Sequence, residues 1–186
     1  MADPAKRRAT YEDLLAVPEH LVAEIIGGEL VTQPRPASPH SRAASRLGME
    51  LGGPFDRGKG GPGGWIILDE PELHLHGDVL VPDVAGWRRE RMPEMPHATA
   101  FELPPDWVCE ILSPSTQGID RVEKMTIYAR EGVAWAWLVD PLAKTLEVFH
   151  LGSGKWIAQA SFRGDASVRA EPFDAIMLEL SALWER

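Results

Sequence analysis

The feature that most constrains the fold is the segment Trp107-Val-Cys-Glu-Ile-Leu112, which is apolar apart from one glutamate. A strand that is covered on both faces is typically a continuous apolar run, so this segment predicts a buried strand. Glu110 interrupts the run, and an isolated buried carboxylate is costly unless it is paired, protonated or bound to a metal. We therefore expect Glu110 to have a partner, either in a metal site or in an ion pair with an arginine of the core.

Two further residues, Asp83 and Lys124, are candidates for the same site as Glu110. Asp83 lies in a second apolar segment 27 residues before Glu110, and Lys124 follows Glu110 by 14 residues in a predicted helix. A short turn after the Glu110 strand would bring Lys124 over the carboxyl end of that strand, where α/β sites tend to lie. Paired carboxylates offer the hard oxygen ligands that Mg²⁺ prefers, and a lysine would position water or stabilise developing charge. The pattern predicts metal-assisted phosphodiester hydrolysis.

Each residue also has a simpler interpretation. Asp83 fits an Asx turn in a loop. Lys124 follows Asp120 by four residues, the spacing of an exposed helical ion pair worth about 0.3–0.5 kcal/mol. Glu24, in an apolar segment, is either an accessory metal or water ligand or an outward-facing strand residue. His40, at a predicted helix start, is either a phosphate contact or a surface histidine.

Other chemistries are poorly supported. Cys109 has no activating neighbour in the sequence and is interpreted as a small core residue. His74 and His76 have the spacing of a zinc pair, but no third ligand is evident. The glycine-rich segment 58–64 lacks the ending of a phosphate-binding loop and is interpreted as a connector.

Composition narrows the class of protein. With 186 residues, of which 44% are hydrophobic, the chain supports one domain with a substantial core. A net charge of −9 argues against a protein that coats nucleic acid by bulk electrostatics, although it is compatible with a nuclease. No apolar run reaches the roughly 18 residues that span a bilayer, and the N-terminus lacks the apolar core of a signal peptide. We expect a cytoplasmic protein without a membrane partner.

The order of predicted elements indicates one α/β domain, of the α+β kind, with a central mixed sheet flanked by helices. It begins with a helix after Thr10 and a hairpin that turns at Gly27-Gly28. A crossover helix over 120–130 leads from the Glu110 strand to a second hairpin about Asp140-Pro141. We expect residues 1–9 to be a flexible N-terminus and 10–186 to form the domain. The remaining predictions are a helix from Ser38 to Leu51 and strands over 65–68, 72–76, 79–87 and 156–160.

These residues also carry a resemblance. The pair Pro82-Asp83, then Glu110 in an apolar strand, then a lysine, resembles the PD-(D/E)XK nuclease superfamily. The strings over 107–116, 120–125, 128–133 and 137–141 more closely resemble the bacterial Uma family of restriction-endonuclease-like proteins. The segment 24–31 and the helix start at His40 fit the same family, and the resemblance spans roughly residues 10 to 150.

The resemblance implies a restriction-endonuclease-like core, often as a homodimer. Our leading hypothesis for its substrate is DNA. It implies Asp83 and Glu110 as Mg²⁺ or Mn²⁺ ligands, and Glu24 as an accessory acid. The superfamily pattern places its lysine two residues after the second acid, where this chain has Leu112. The resemblance therefore points to Lys124 as the third catalytic residue.

The predicted site thus comprises three catalytic and three accessory residues, and two other functions remain open. A catalytically silent nuclease-fold module, for nucleic-acid or protein interaction, fits the acidic charge and the absence of a lysine at position 112. A metal-dependent hydrolase of a small substrate is the weaker alternative. The catalytic residues are Asp83, Glu110 and Lys124, and the accessory residues are Glu24, Asp120 and His40.

Overall fold

The strands divide between two main sheets in the computed structural model, which describes residues 7–185. The strands are β1 (Leu21–Ile26), β2 (Glu29–Pro34), β3 (Trp65–Asp69), β4 (Leu73–Leu75), β5 (Asp78–Leu80), β6 (Val84–Arg88), β7 (Trp107–Ile111), β8 (Trp135–Asp140), β9 (Thr145–Gly152), β10 (Lys155–Arg163), β11 (Ser167–Val168) and β12 (Leu178–Glu179). The helices are α1 (Tyr11–Leu15), α2 (Ser38–Leu51), α3 (Met125–Arg130) and α4 (Ser181–Trp184), and wide π-helical turns cover Gly52–Asp56 and Ile119–Lys124.

The larger sheet has six strands in the order β10-β9-β8-β7-β6-β3. Strands β7 and β8 are parallel and the other neighbours are antiparallel, so the predicted mixed sheet is confirmed. The crossover between β7 and β8 contains the second π-helical turn and α3, as parallel pairing requires a long connection. A second, four-stranded antiparallel sheet with the order β2-β1-β5-β4 was not predicted.

Strand β7 is buried on both faces, as its apolar sequence predicts. Side chains alternate between the faces of a strand. Trp107, Cys109 and Ile111 pack in the core that includes α2. Val108 lies in the opposite core, which includes Tyr128 of α3. Glu110 has the same parity as Val108, so its carboxylate points to the side of the sheet that carries α3.

The prediction of one strand over 79–87 is wrong. The chain leaves the small sheet at Leu80, at the end of β5, and enters the large sheet at Val84, at the start of β6. Pro82, which has no N–H group to donate to a sheet, lies in the break. The break places Asp83 beside β7, where its Oδ2 accepts a 2.6 Å hydrogen bond from the N–H group of Ile111.

Local predictions in the N-terminal part are confirmed. Thr10 caps α1 with reciprocal side-chain hydrogen bonds to Asp13. Gly27 and Gly28 join β1 to β2 with φ values of +62° and +86°, the left-handed conformation that a two-residue hairpin turn requires. Residues 1–6 of the predicted flexible N-terminus lie outside the described part, and the domain boundary at residue 10 remains a prediction. Within residues 7–185, no helix has both the length and the apolarity of a membrane-spanning segment.

Candidate active site

A cleft of about 340 Å³ opens where the end of β7, the break before β6, the β1–β2 hairpin and the start of α2 meet. It contains every residue that the sequence predicts for the site. The charged and titratable side chains that line the cleft are Glu24, Arg35, His40, Glu70, Asp83, Glu110, Asp120 and Lys124.

Lys124 is at the centre of the buried part of this site. Its ammonium nitrogen lies 2.9 Å from the Glu110 carboxylate and 3.1 Å from Oε1 of Glu24. The backbone carbonyl of Val81 accepts a longer hydrogen bond of 3.4 Å from the same nitrogen. The three side chains are only 3–4% exposed, so water contributes little to their solvation. A single ammonium group is thus shared by two buried glutamates.

The position of Lys124 results from the wide turn that precedes α3. This turn buries both of its inward-facing charged residues, Asp120 and Lys124, with 3.7 Å between Oδ1 and Nζ. Single π-helical turns occur often at functional sites, since they redirect side chains within a helix. The interpretation of Asp120 and Lys124 as an exposed surface pair is therefore wrong.

Asp83 lies at the more open end of the cleft, and both of its oxygens have partners. Oδ2 accepts the hydrogen bond from Ile111, next to Glu110 in the chain. Oδ1 lies 3.2 Å from Nε2 of His40, which the first turn of α2 carries into the cleft. The other ring nitrogen of His40 is buried, and no described residue hydrogen-bonds to it.

Sequence reasoning assigned no role to one residue of this site, Tyr128. Its hydroxyl group donates a 2.6 Å hydrogen bond to Oε1 of Glu110, and its side chain is buried. The positions of Asp120, Lys124 and Tyr128 at intervals of four residues were a usable signal, because such residues share one helix face. Glu70, which adopts a φ of +47°, also lines the cleft and was not predicted.

Burial and neighbouring charges shift the pKa values of Glu110 and Lys124. Burial raises the pKa of Glu110 well above its usual range, the other acids of the cleft add to this, and Lys124 opposes it. Burial lowers the pKa of Lys124, but Glu110 and Glu24 outweigh burial, so its pKa is well above the usual range. Lys124 therefore remains protonated, and its acidic surroundings favour a positive charge at this position.

A neighbouring carboxylate also shifts the pKa of His40, which lies at the outer end of the cleft. Burial lowers the pKa of His40, but the hydrogen bond and charge of Asp83 outweigh it, so the pKa is raised. When protonated, His40 has a donor at each ring nitrogen, of which Nε2 faces Asp83 and Nδ1 has no hydrogen-bond partner among the described residues. The cleft thus holds acids with the cationic donor Lys124 at its inner end and, at its outer end, a histidine whose charged form Asp83 favours.

Burial and contacts decide between the alternative interpretations of Glu24, Glu110 and the histidine pair. Glu24 does not face outward, because it is 3% exposed and Oε1 accepts a 2.8 Å bond from the N–H group of Val81. Glu110 pairs with a lysine, not with an arginine. His74 and His76 bind different carboxylates, those of Glu72 and Glu131, so they do not form a zinc pair.

The comparisons with known proteins agree with this architecture. The family model Uma2, described as "Putative restriction endonuclease", matches residues 8–182. No curated protein matches the chain. A solved structure from Anabaena variabilis, titled as a "putative nuclease belonging to DUF820", aligns with a TM-score of 0.75 and 23% identity over 95% of this chain and 97% of that one. At this identity the structural likeness shows the shared fold, whereas the family model covers nearly the whole chain. The chain belongs to the Uma2 family of restriction-endonuclease-like proteins.

Proposed function

We propose that this protein is a metal-dependent endonuclease that hydrolyses phosphodiester bonds in DNA. The observation that carries the proposal is the convergence of Glu24, Asp83, Glu110 and Lys124, from four separate chain segments, on one open cleft. Buried acids and a buried lysine are costly to keep in a core, and such groups cluster at functional sites. Membership of a family described as "Putative restriction endonuclease" supports the same reaction class.

The donor chemistry of the cleft fits a divalent cation. Its carboxylates are hard oxygen donors, which suit Mg²⁺ or Mn²⁺, and the site favours positive charge. The described residues contain no group of three side chains already arranged around a common cation position. Instead, the oxygens of Glu110 accept hydrogen bonds from Lys124 and Tyr128. Asp83 and Glu110 would hold the cation, and Glu110 would release Lys124 as it did so.

Each residue has a distinct role in the proposed reaction. A bound cation would lower the pKa of a water molecule and offset charge on the scissile phosphate. Lys124 would position the attacking water or stabilise the charge that develops on the phosphate. His40 would donate to a phosphate oxygen at the outer end of the cleft. The accessory acids Glu24 and Asp120 hold Lys124 in place through their charges.

A catalytically silent module is the second candidate function. It is favoured by the same contact that the metal must disrupt, because Lys124 already neutralises Glu110. In this reading the inner cluster only stabilises the fold, and the outer cleft binds nucleic acid or protein. This module would bind its partner without a cation and would leave DNA intact.

Plasmid nicking in Mg²⁺ and Mn²⁺ tests the proposal. Asp83→Asn should abolish metal-dependent nicking, since it removes a ligand while keeping a side chain of similar size. Glu147→Gln is a suitable control, because Glu147 lies in a surface ion pair with Arg121 outside the cleft. Equal nicking by Asp83→Asn and wild type would refute the assignment.

Light scattering on the same samples tests the homodimer, which remains a prediction from the family resemblance.

A further inference from the structure

Two donors from one helical segment hold the carboxylate of Glu110. Tyr128 donates to Oε1 at 2.6 Å, and the Lys124 nitrogen donates to Oε2 at 2.9 Å and lies equally close to Oε1. The donors are four residues apart and therefore share a helix face. The tyrosine side chain is fully buried, so no water competes for its hydroxyl group.

The two donors act differently on a cation at Glu110. Lys124 carries a positive charge, so a divalent cation and the ammonium group compete for the carboxylate. The hydroxyl group of Tyr128 is neutral, and its proton is directed at Oε1 of Glu110. Tyr128 therefore restrains the carboxylate without repelling a cation.

We propose that Tyr128 is a positioning residue, which anchors Glu110 by Oε1 and presents Oε2 to the divalent cation. The inference rests on the proposed function, because it concerns the cation of that reaction. Hydrogen-bond partners of ligating side chains commonly change metal affinity by about 10- to 100-fold. Tyr128 fits this role because its hydroxyl group contacts the predicted ligand and lies deeper than the cleft surface.

The chain contains a matched control for this residue. The sequence has two tyrosines, and the other, Tyr11, also donates a hydrogen bond to a glutamate, with 2.7 Å between its hydroxyl oxygen and Oε1 of Glu72. Tyr11 is 38% exposed and does not line the cleft. Tyr11→Phe and Tyr128→Phe thus each delete one tyrosine–glutamate hydrogen bond, the first outside the cleft and the second at Glu110.

Calorimetric titration of Mg²⁺ into wild type, Tyr11→Phe and Tyr128→Phe tests the proposal. Tyr128→Phe should bind Mg²⁺ about tenfold or more weakly, whereas Tyr11→Phe should match wild type. Cleavage by Tyr128→Phe should need more Mg²⁺ for half-maximal rate but approach the wild-type rate at saturation. A residue that only stabilises the fold would lower the melting temperature without changing Mg²⁺ affinity.

A second measurement does not depend on the folding of Tyr128→Phe. Mg²⁺ binding should weaken Glu110 as an acceptor and produce a tyrosine difference band in the near-ultraviolet spectrum of wild type and of Tyr11→Phe. Absence of this band, or equal Mg²⁺ affinity in Tyr128→Phe and wild type, would overturn the positioning role and leave the nuclease proposal intact. Weaker Mg²⁺ binding by Tyr128→Phe without DNA cleavage by any form would support the positioning role and refute the nuclease. No Mg²⁺ binding by wild type would refute both.

Discussion

The ammonium nitrogen of Lys124 lies 2.9 Å from the carboxylate of Glu110, and both side chains are 3% exposed. This pair connects the π-helical turn before α3 to β7, one of the two central strands of the six-stranded sheet. A buried ion pair of this kind contributes little net stability relative to apolar residues, whereas loss of one partner is strongly destabilising. The pair is therefore better explained by the chemistry of the cleft than by the stability of the core.

Lys124→Met should destabilise the protein by about 3–5 kcal/mol without metal, because it leaves Glu110 and Glu24 without their counter-charge. Mg²⁺ should recover part of this loss, since a bound cation stabilises the state that binds it. Urea denaturation with and without Mg²⁺ measures both effects. Lys155→Met, at an exposed position, is the control. A loss that Mg²⁺ leaves unchanged would contradict the competition between Lys124 and the cation.

Glu131 should make stability depend on pH well away from the cleft. Burial raises its pKa, but hydrogen bonds from Arg130 and His76 outweigh burial and lower the pKa below its ordinary value of 4.5. The stabilisation is therefore fully present above pH 4.5 and disappears as pH falls through the lower folded-state value. Glu131→Gln should cost about 1 kcal/mol at pH 6. This difference in unfolding free energy should shrink below pH 4.5, and a constant difference down to pH 3 would contradict the assignment.

Cys109 should be unreactive in the native protein. Its thiol is buried in β7, and burial raises its pKa well above the usual range. Since the thiolate is the reactive form, a thiol reagent at pH 8 should label Cys109 only after unfolding. Rapid labelling of the native protein would place Cys109 in an accessible position and reopen its interpretation as a nucleophile.

A site residue was predictable from the sequence where its charge conflicts with the apolar residues around it. Glu110 stands out because it is an acid within an apolar strand, and that strand is confirmed. Glu24 and Lys124 were ambiguous, since each sequence context fits either an exposed or a buried side chain. Their burial depends on contacts between segments distant in the chain. Local patterns do not encode such contacts.

The division of the segment 79–87 shows the same limit. Its apolar residues fit one strand, and the sequence offers only Pro82 as a sign of a break. The break exists because β5 and β6 belong to different sheets, and the second sheet was not predicted. Tyr128 follows Lys124 by four residues, but this spacing does not show that the tyrosine hydroxyl group contacts Glu110 on a separate strand.

Calorimetric titration of Mg²⁺ into wild type and Glu110→Gln tests the central claim most directly, because it asks whether the buried carboxylate next to Lys124 is a cation ligand. Glu110→Gln keeps the size of the side chain and removes its charge, and Glu147→Gln controls for the loss of an acid elsewhere. We predict saturable binding in wild type and Glu147→Gln and its loss in Glu110→Gln. Equal binding by all three proteins, or none in wild type, would contradict the account of a metal-dependent site.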